Sequence, residues 1–337
     1  MRQAVIEGGF GIERVIWREV QDPLPGPGQV LVRVRAASLN YRDYLVAKGA
    51  YNPKMPLPRV PLSDGAGEVV ALGEGVSNWA IGDRVAGIFM QAWLDGPYRD
   101  VYGKSALGGA IDGLLSELVV LDAHGLVAIP DHLSFEEAAT LPCAAVTAWN
   151  ALFESGNVKP GDTVLVQGSG GVSVFALQFA KAAGARVIAT SSQPAKIERL
   201  KALGADWVLN YKEVPEWGKV IAKAGGVDHV VEVGGIGSLE QSIVAVRGGG
   251  HLSVIGILSG AAGNVNLAAI LHKHLQVQGI YVGSRAMFQN LNRALSQNQL
   301  KPVVDSVYPG AEIKEALRHM EGAGHFGKIV ISLTHQH

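Results

Sequence analysis

The chain has 337 residues, 48% hydrophobic and 18% charged, with 29 basic against 30 acidic side chains and a formal net charge of −1. That balance excludes a disordered chain, and with no basic stripe it excludes nucleic acid or an anionic membrane surface as the main partner. The single cysteine, Cys143, excludes an internal disulfide and a multi-thiolate zinc site, and it fits a reducing compartment. The first residues lack the apolar core of a signal peptide and no run of about 18 apolar residues occurs, so a cytoplasmic location is expected.

In chain order, the turn chemistry of Asp22–Gly28 leads into a strand in which Val30, Val32 and Val34 alternate with Leu31, Arg33 and Arg35. Further short strands over 66–72, 84–88 and 118–121 predict a barrel-like or sandwich-like β domain. The connection from Phe89 to Leu118 is longer than strands require and carries Trp93, Tyr98 and Tyr102, which suggests a substrate-side loop. Ser134 and Glu137 form a capping-box pattern before an apolar run. From Thr163 onward six apolar strands alternate with helices, the pattern of a doubly wound parallel sheet of the Rossmann type. After Ser284 one more helix is expected near 311–320, then a last strand, KIVISL, that returns to the first domain. The predicted domains are 1–125 with 284–337, and 126–283.

The strongest local signal is VLVQGSGGVSVF, a strand, a glycine turn and a helix start. Gly168 and Gly170 take the first two glycine positions of a dinucleotide fingerprint, and Ser173 takes the third. Gly168, Ser169, Gly170, Gly171 and Val172 are therefore candidates to cradle a pyrophosphate at a helix N-terminus. The next strand ends in ATSSQPAK with no carboxylate before Glu198, so nothing there repels a ribose 2′-phosphate. Ser191, Ser192 and Lys196 favour NADPH as the cofactor. Gly256 and Gly283 follow later strands, at the strand C-terminal ends where such ligands bind. Lys328 opens the last strand and either meets the cofactor or pairs at the domain seam.

Several segments in order, among them PGPGQVLVRVRAASLNYRDYLVAKGAY, GAGEVVALGEGVSNWAIGDRV, LSFEEAATLPCAAVTAWNAL and GHFGKIVI, resemble the medium-chain dehydrogenase/reductase family. The resemblance is to its zinc-free, quinone oxidoreductase-like branch. It implies a GroES-like β-barrel catalytic domain, a Rossmann domain and a homodimer formed through the Rossmann sheet. It also implies that Lys196 and Tyr211 contact the 2′-phosphate and that Thr147 lies near the nicotinamide. The positions that hold catalytic zinc in the alcohol dehydrogenases are matched by Asn40, the pair Ser63–Asp64, and Cys143, so no metal is expected.

Without a metal, hydride transfer needs an acceptor whose charge spreads onto an oxygen, and a donor to meet that oxygen. Asn40, Tyr44 and Thr147 are the catalytic candidates, with Tyr41 and Tyr51 as further aromatic neighbours. The expected function is metal-free, NADPH-dependent reduction of a small quinone or α,β-unsaturated carbonyl. The alternatives are an alcohol/aldehyde oxidoreductase without catalytic zinc and a non-catalytic NADPH-binding sensor.

Overall fold

The computed structural model describes residues 1–334. Two compact units emerge, Met1–Val146 together with the chain from Gly283 on, and Thr147–Val282. The sequence boundary placed 126–146 in the second unit, but this segment clusters with the first. The reason is local: residues 126–128 hydrogen-bond to a strand of the first unit, and the Cys143 N–H donates to Asp64 there.

The first unit begins with an antiparallel pair, β1 (Arg2–Ile6) and β2 (Val15–Glu19). Then come β3 (Gln29–Leu39), helix α1 (Tyr41–Ala47), β4 (Asp64–Leu72), β5 (Arg84–Gly87), β6 (Leu118–Asp122) and β7 (Leu126–Ala128). The alternation read at Val30, Val32 and Val34 buries all three side chains, and Val30 and Val32 join a cluster with Val69, Val85, Leu107 and Leu121. Each such burial contributes roughly 1.5–3 kcal/mol before entropy is counted. Within 89–118 the chain makes a 3-10 segment at Asp100–Ser105, and Trp93 stacks on Tyr102 at 5.9 Å and meets Tyr98 edge-on at 5.4 Å.

The apolar run after Ser134 is not one regular helix. The capping box forms and starts α2 (Phe135–Ala138), but π-helical turns at Leu141–Ala145 and Asn150–Glu154 flank the short α3 (Val146–Trp149). Pro142, which lacks a backbone donor, sits inside the first of these turns.

The second unit carries β8 (Thr163–Gln167), α4 (Gly171–Ala182), β9 (Arg186–Ser191), α5 (Pro194–Ala202), β10 (Trp207–Asn210), α6 (Trp217–Lys223), β11 (Val227–Glu232), α7 (Ile236–Ala245), β12 (Val246–Val254), α8 (Leu267–His272) and β13 (Gln276–Gly279). Its six strands are all parallel, in the order β10-β9-β8-β11-β12-β13. This is the doubly wound arrangement with a switch point between β8 and β11. The sixth strand has only 4 residues, ends at Gly279 and is exposed along its length.

The chain then returns to the first unit through α9 (Arg285–Asn298), β14 (Val304–Pro309), α10 (Ile313–Glu321) and β15 (Lys328–Ser332). Helix α9 was not foreseen. Its apolar stripe, Phe288, Leu291 and Leu295, is buried, while most of its remaining positions are polar. β15 pairs antiparallel with β3, which completes a seven-stranded sheet in the order β14-β15-β3-β4-β5-β7, with β6 also on β3. No described helix is long and apolar enough to cross a membrane.

Candidate active site

In the first unit, four elements bring polar side chains to one buried place. Asn40 is the residue before α1, and its backbone N–H donates to Asp43 Oδ2 at 2.8 Å, which closes the first turn. Ser63 and Asp64 stand at the start of β4, both fully buried, with the Ser63 hydroxyl donating to Asp64 Oδ1 at 2.7 Å. The other carboxylate oxygen of Asp64 accepts from the Cys143 backbone N–H at 3.0 Å. From the opposite side Lys328, 3% exposed, donates to the Leu39 carbonyl at 2.5 Å and to Asn40 Oδ1 at 2.6 Å. The Asn40 amide nitrogen faces Ser63 Oγ at 3.5 Å.

The electrostatics follow from burial. Burial raises Asp43 to about 6, against the pull of Arg42 beside it, with Asp64 adding to the rise. Asp64 is raised mainly by burial, and Lys328 is lowered mainly by burial while Asp64 pushes it back up. The Cys143 thiol is pushed up by burial and by Asp64, so it stays protonated and is a poor nucleophile. Arg42 is stacked over Phe89 and Tyr51, at 4.7 and 5.1 Å, and donates to the Leu107 carbonyl at 2.9 Å. The aromatic loop therefore meets Arg42 at its first residue, Phe89, and at Leu107 within it.

Of the expected site residues, Asn40 and Lys328 come together. Lys328, expected to meet the cofactor or pair at the domain seam, donates its ammonium to Asn40, in the register that sets Ile329 opposite Leu39. Tyr44 goes elsewhere: its hydroxyl donates to Glu321 of α10 at 2.6 Å, a bond that pushes its pKa up to about 12. Thr147 is buried in α3, in the second unit.

The second unit carries the glycine turn of the dinucleotide fingerprint. Gly168 follows β8 with φ of +69°, a conformation that favours glycine, and its N–H donates to the Thr190 carbonyl at 2.7 Å. Gly170 caps α4, and a Cβ built on either glycine would meet nothing within 4 Å. The turn thus leaves open space in front of a helix N-terminus whose first N–H groups have no intrahelical acceptor. Gly171 and Val172 form that first turn, and Ser169 is buried beneath it. Ser173 fills the third fingerprint position without crowding, its hydroxyl turned back onto the Gln167 carbonyl at 2.6 Å.

At the end of β9, Ser191 is buried, Ser192 is half-buried, and the Tyr211 N–H reaches the Ser191 carbonyl at 3.3 Å. Lys196 lies near the start of α5, which has no acidic residue in its first turn, and Glu198 is engaged by Lys201 at 2.8 Å. Gly256 and Gly283 are explained by packing. A Cβ on Gly256 would lie 2.1 Å from the Val233 carbonyl oxygen, and one on Gly283 would lie 2.7 Å from the Val146 side chain.

Sequence reasoning missed Glu232, at the end of β11. It is fully buried and accepts from Gln167 Nε2 at 2.7 Å, Ser238 Oγ at 2.6 Å, the Gly234 N–H at 2.8 Å, the Gly235 N–H at 3.0 Å and the Ser242 hydroxyl. It fixes the turn at the switch point beside β8. The signal was present as a carboxylate ending an apolar strand, followed by two glycines.

A six-stranded parallel sheet with an open glycine turn, in one chain with a β unit that buries a polar cluster, defines a two-domain dehydrogenase-type oxidoreductase. Residues 26–131 match the alcohol dehydrogenase GroES-like domain family, and residues 171–297 match the zinc-binding dehydrogenase family. A zinc-type alcohol dehydrogenase-like protein of Schizosaccharomyces pombe is 46% identical, over 91% of each chain. The acryloyl-coenzyme A reductase of Metallosphaera sedula is 30% identical, over 98% of this chain and 100% of that protein. The crystal structure of an NAD-dependent alcohol dehydrogenase superposes with a TM-score of 0.90 at 37% identity, covering 99% of this chain and 100% of that one. The chain belongs to the medium-chain dehydrogenase/reductase family.

The matched zinc-binding dehydrogenase family implies zinc by its name, and the residues present do not fit it. Structural and catalytic zinc need at least three strong protein ligands. Of Asn40, Ser63, Asp64 and Cys143 only the last two are such donors, and the Asp64 oxygens already accept from Ser63 and the Cys143 N–H. Among the described residues no three His, Cys, Asp or Glu side chains are grouped to hold a metal ion.

Proposed function

We propose that the chain is a metal-free, NADPH-dependent reductase of conjugated carbonyls, either quinones or α,β-unsaturated carbonyl compounds. The observation that carries this reading is the Asn40 amide, held by an ammonium with its nitrogen turned away, where the matching position in zinc enzymes carries a metal ligand. Gly168–Val172 would hold the pyrophosphate, and Ser191, Ser192, Lys196 and Tyr211 the 2′-phosphate. When bound, the reduced dinucleotide supplies hydride. In an enone, hydride adds to the β-carbon, the carbon–carbon π electrons move toward the carbonyl, and its oxygen takes the negative charge until a proton from water arrives. Asn40 donates an amide N–H to that oxygen. An isolated aldehyde lacks this conjugation and, without a Lewis acid, is the poorer substrate. The acryloyl-coenzyme A reductase among the relatives acts, by its name, on a conjugated thioester, which supports the substrate class. The structural neighbour is named NAD-dependent; for this chain the absence of an acid in the first turn of α5 supports NADPH.

The test is oxidation of NADPH and NADH, side by side, with a quinone, an enone and a simple aldehyde, with and without chelator. NADPH oxidation by quinone or enone, unchanged by chelator and lowered about 10²-fold in kcat by Asn40→Ala, is the expected result. Turnover of the aldehyde alone, or activity lost on chelation, would overturn the reading.

A further inference from the structure

Lys328 is placed by backbone geometry before any side-chain contact is counted. Gly327 has φ of +86°, and a Cβ on it would lie 2.3 Å from the Val303 carbonyl oxygen, so only glycine enters β15 at this point. The register that puts Ile329 opposite Leu39 then leaves Lys328 opposite Asn40. An ammonium carries three donors and no acceptor. The amide of Asn40 must therefore turn its oxygen to Lys328, at 2.6 Å, and its nitrogen toward Ser63, at 3.5 Å. An asparagine beside a water or a serine would have no such constraint.

Charge explains why the lysine stays there. Asp43 and Asp64 are buried at the cluster, and Arg42 lies 3.5 Å from Asp43. Arg42 and Lys328 together balance the two carboxylates. Removing the ammonium leaves a buried carboxylate without its cation, which is strongly unfavourable. Adding a divalent ion beside the ammonium would leave a surplus of two positive charges.

We propose that Lys328 is the resident cation of this cluster and a positioning residue that orients Asn40 for its hydrogen bond to the substrate oxygen. The proposal rests on the function assigned to Asn40 above and deepens it. A lysine that merely supports the fold would lower activity independently of Asn40; a lysine acting through Asn40 would not.

The experiment compares kcat and KM for the wild-type chain, Asn40→Ala, Lys328→Met and the double variant. Each single substitution is expected to lower kcat about 10²-fold with KM little changed, and the double variant is expected to be no worse than Asn40→Ala. Losses that multiply would overturn the proposal. Should Lys328→Met fail to fold, Lys328→Met with Asp64→Asn restores the charge balance; it is expected to regain Tm while kcat stays low, and recovered kcat would overturn the proposal. Urea midpoints of the same four proteins read the contact without any turnover, and strictly additive shifts would overturn it. If Asn40→Ala turns over like the wild type while the urea shifts are non-additive, the function assigned to Asn40 fails and the orienting contact stands. Titration of the wild-type chain with cobalt(II) is expected to give no thiolate charge-transfer band, and a stoichiometric band would overturn the resident-cation assignment.

Discussion

Gly168, Gly170 and Gly256 are indistinguishable as letters, yet each is glycine for a different reason. Gly168 needs a positive φ, Gly170 has ordinary φ of −73° with open space in front, and Gly256 has the Val233 carbonyl pressed against it. A methyl group at Gly170 would meet no protein atom, so it is felt only when a ligand fills the space. Gly170→Ala is therefore expected to leave Tm unchanged and to weaken NADPH binding at least tenfold, about 1.4 kcal/mol, in a fluorescence titration. Gly256→Ala is expected to lower Tm instead. NADPH binding of wild-type strength in Gly170→Ala would remove this turn from the cofactor site. The fingerprint spacing was legible in the sequence, but the crowding at a later glycine was not, because the carbonyl pressed on Gly256 belongs to Val233, just past β11. The contact of Lys328 with Asn40 was illegible for a like reason: the two residues are 288 apart in the chain. Tyr44 shows the limit within one helix. It follows Asp43 directly, yet that single step turns it from the cluster to Glu321.

The βα alternation was readable because strands covered on both faces become apolar runs. Helix α9 carried an equally regular stripe, Phe288, Leu291 and Leu295 behind the N-cap Ser284, but its polar majority masked it. The π-helical turns around α3 have no sequence period of their own to read. Neighbouring strands also set up a titration that no linear reading would find. His229 of β11 and His251 of β12 are register partners, both buried, with ring centroids 6.2 Å apart. His229 is bonded to Asp162 at 3.1 Å. Burial holds His251 below the ordinary histidine range, with His229 lowering it further and Gln276 of β13 opposing. The folded protein thus resists a proton that the unfolded chain accepts near pH 6.5. This contribution to stability is complete above about pH 6.5 and is lost as pH falls from there through the folded-state value. Urea midpoints between pH 8 and 5 are expected to fall more steeply for the wild type than for His251→Leu; parallel curves would refute this.

Among the described residues, the β13 end of the parallel sheet is exposed. In the order β10-β9-β8-β11-β12-β13, the last strand is exposed along its length, with Val277 at 45%. Leu267 and Leu271 of α8 are 73% and 70% exposed, and Ile257 and Leu258 project from the preceding loop. An open strand edge beside exposed leucines is a liability for a chain that stays single, since its backbone groups are a template for another strand. The strand has no proline and no charged residue. Pairing with a second copy through the same edge would satisfy both chains at once and would close the assembly at two, because an isologous contact uses up its own surface. Light scattering at micromolar concentration is expected to give twice the chain mass. Val277→Lys with Leu271→Glu, which places charge on the edge and on the helix beside it, is expected to give the single-chain mass with NADPH still bound, since neither residue lies near Gly168–Val172 in the chain. A wild-type chain that sediments as a monomer would mean that the edge is tolerated alone, and a double variant that stays dimeric would move the interface to another face.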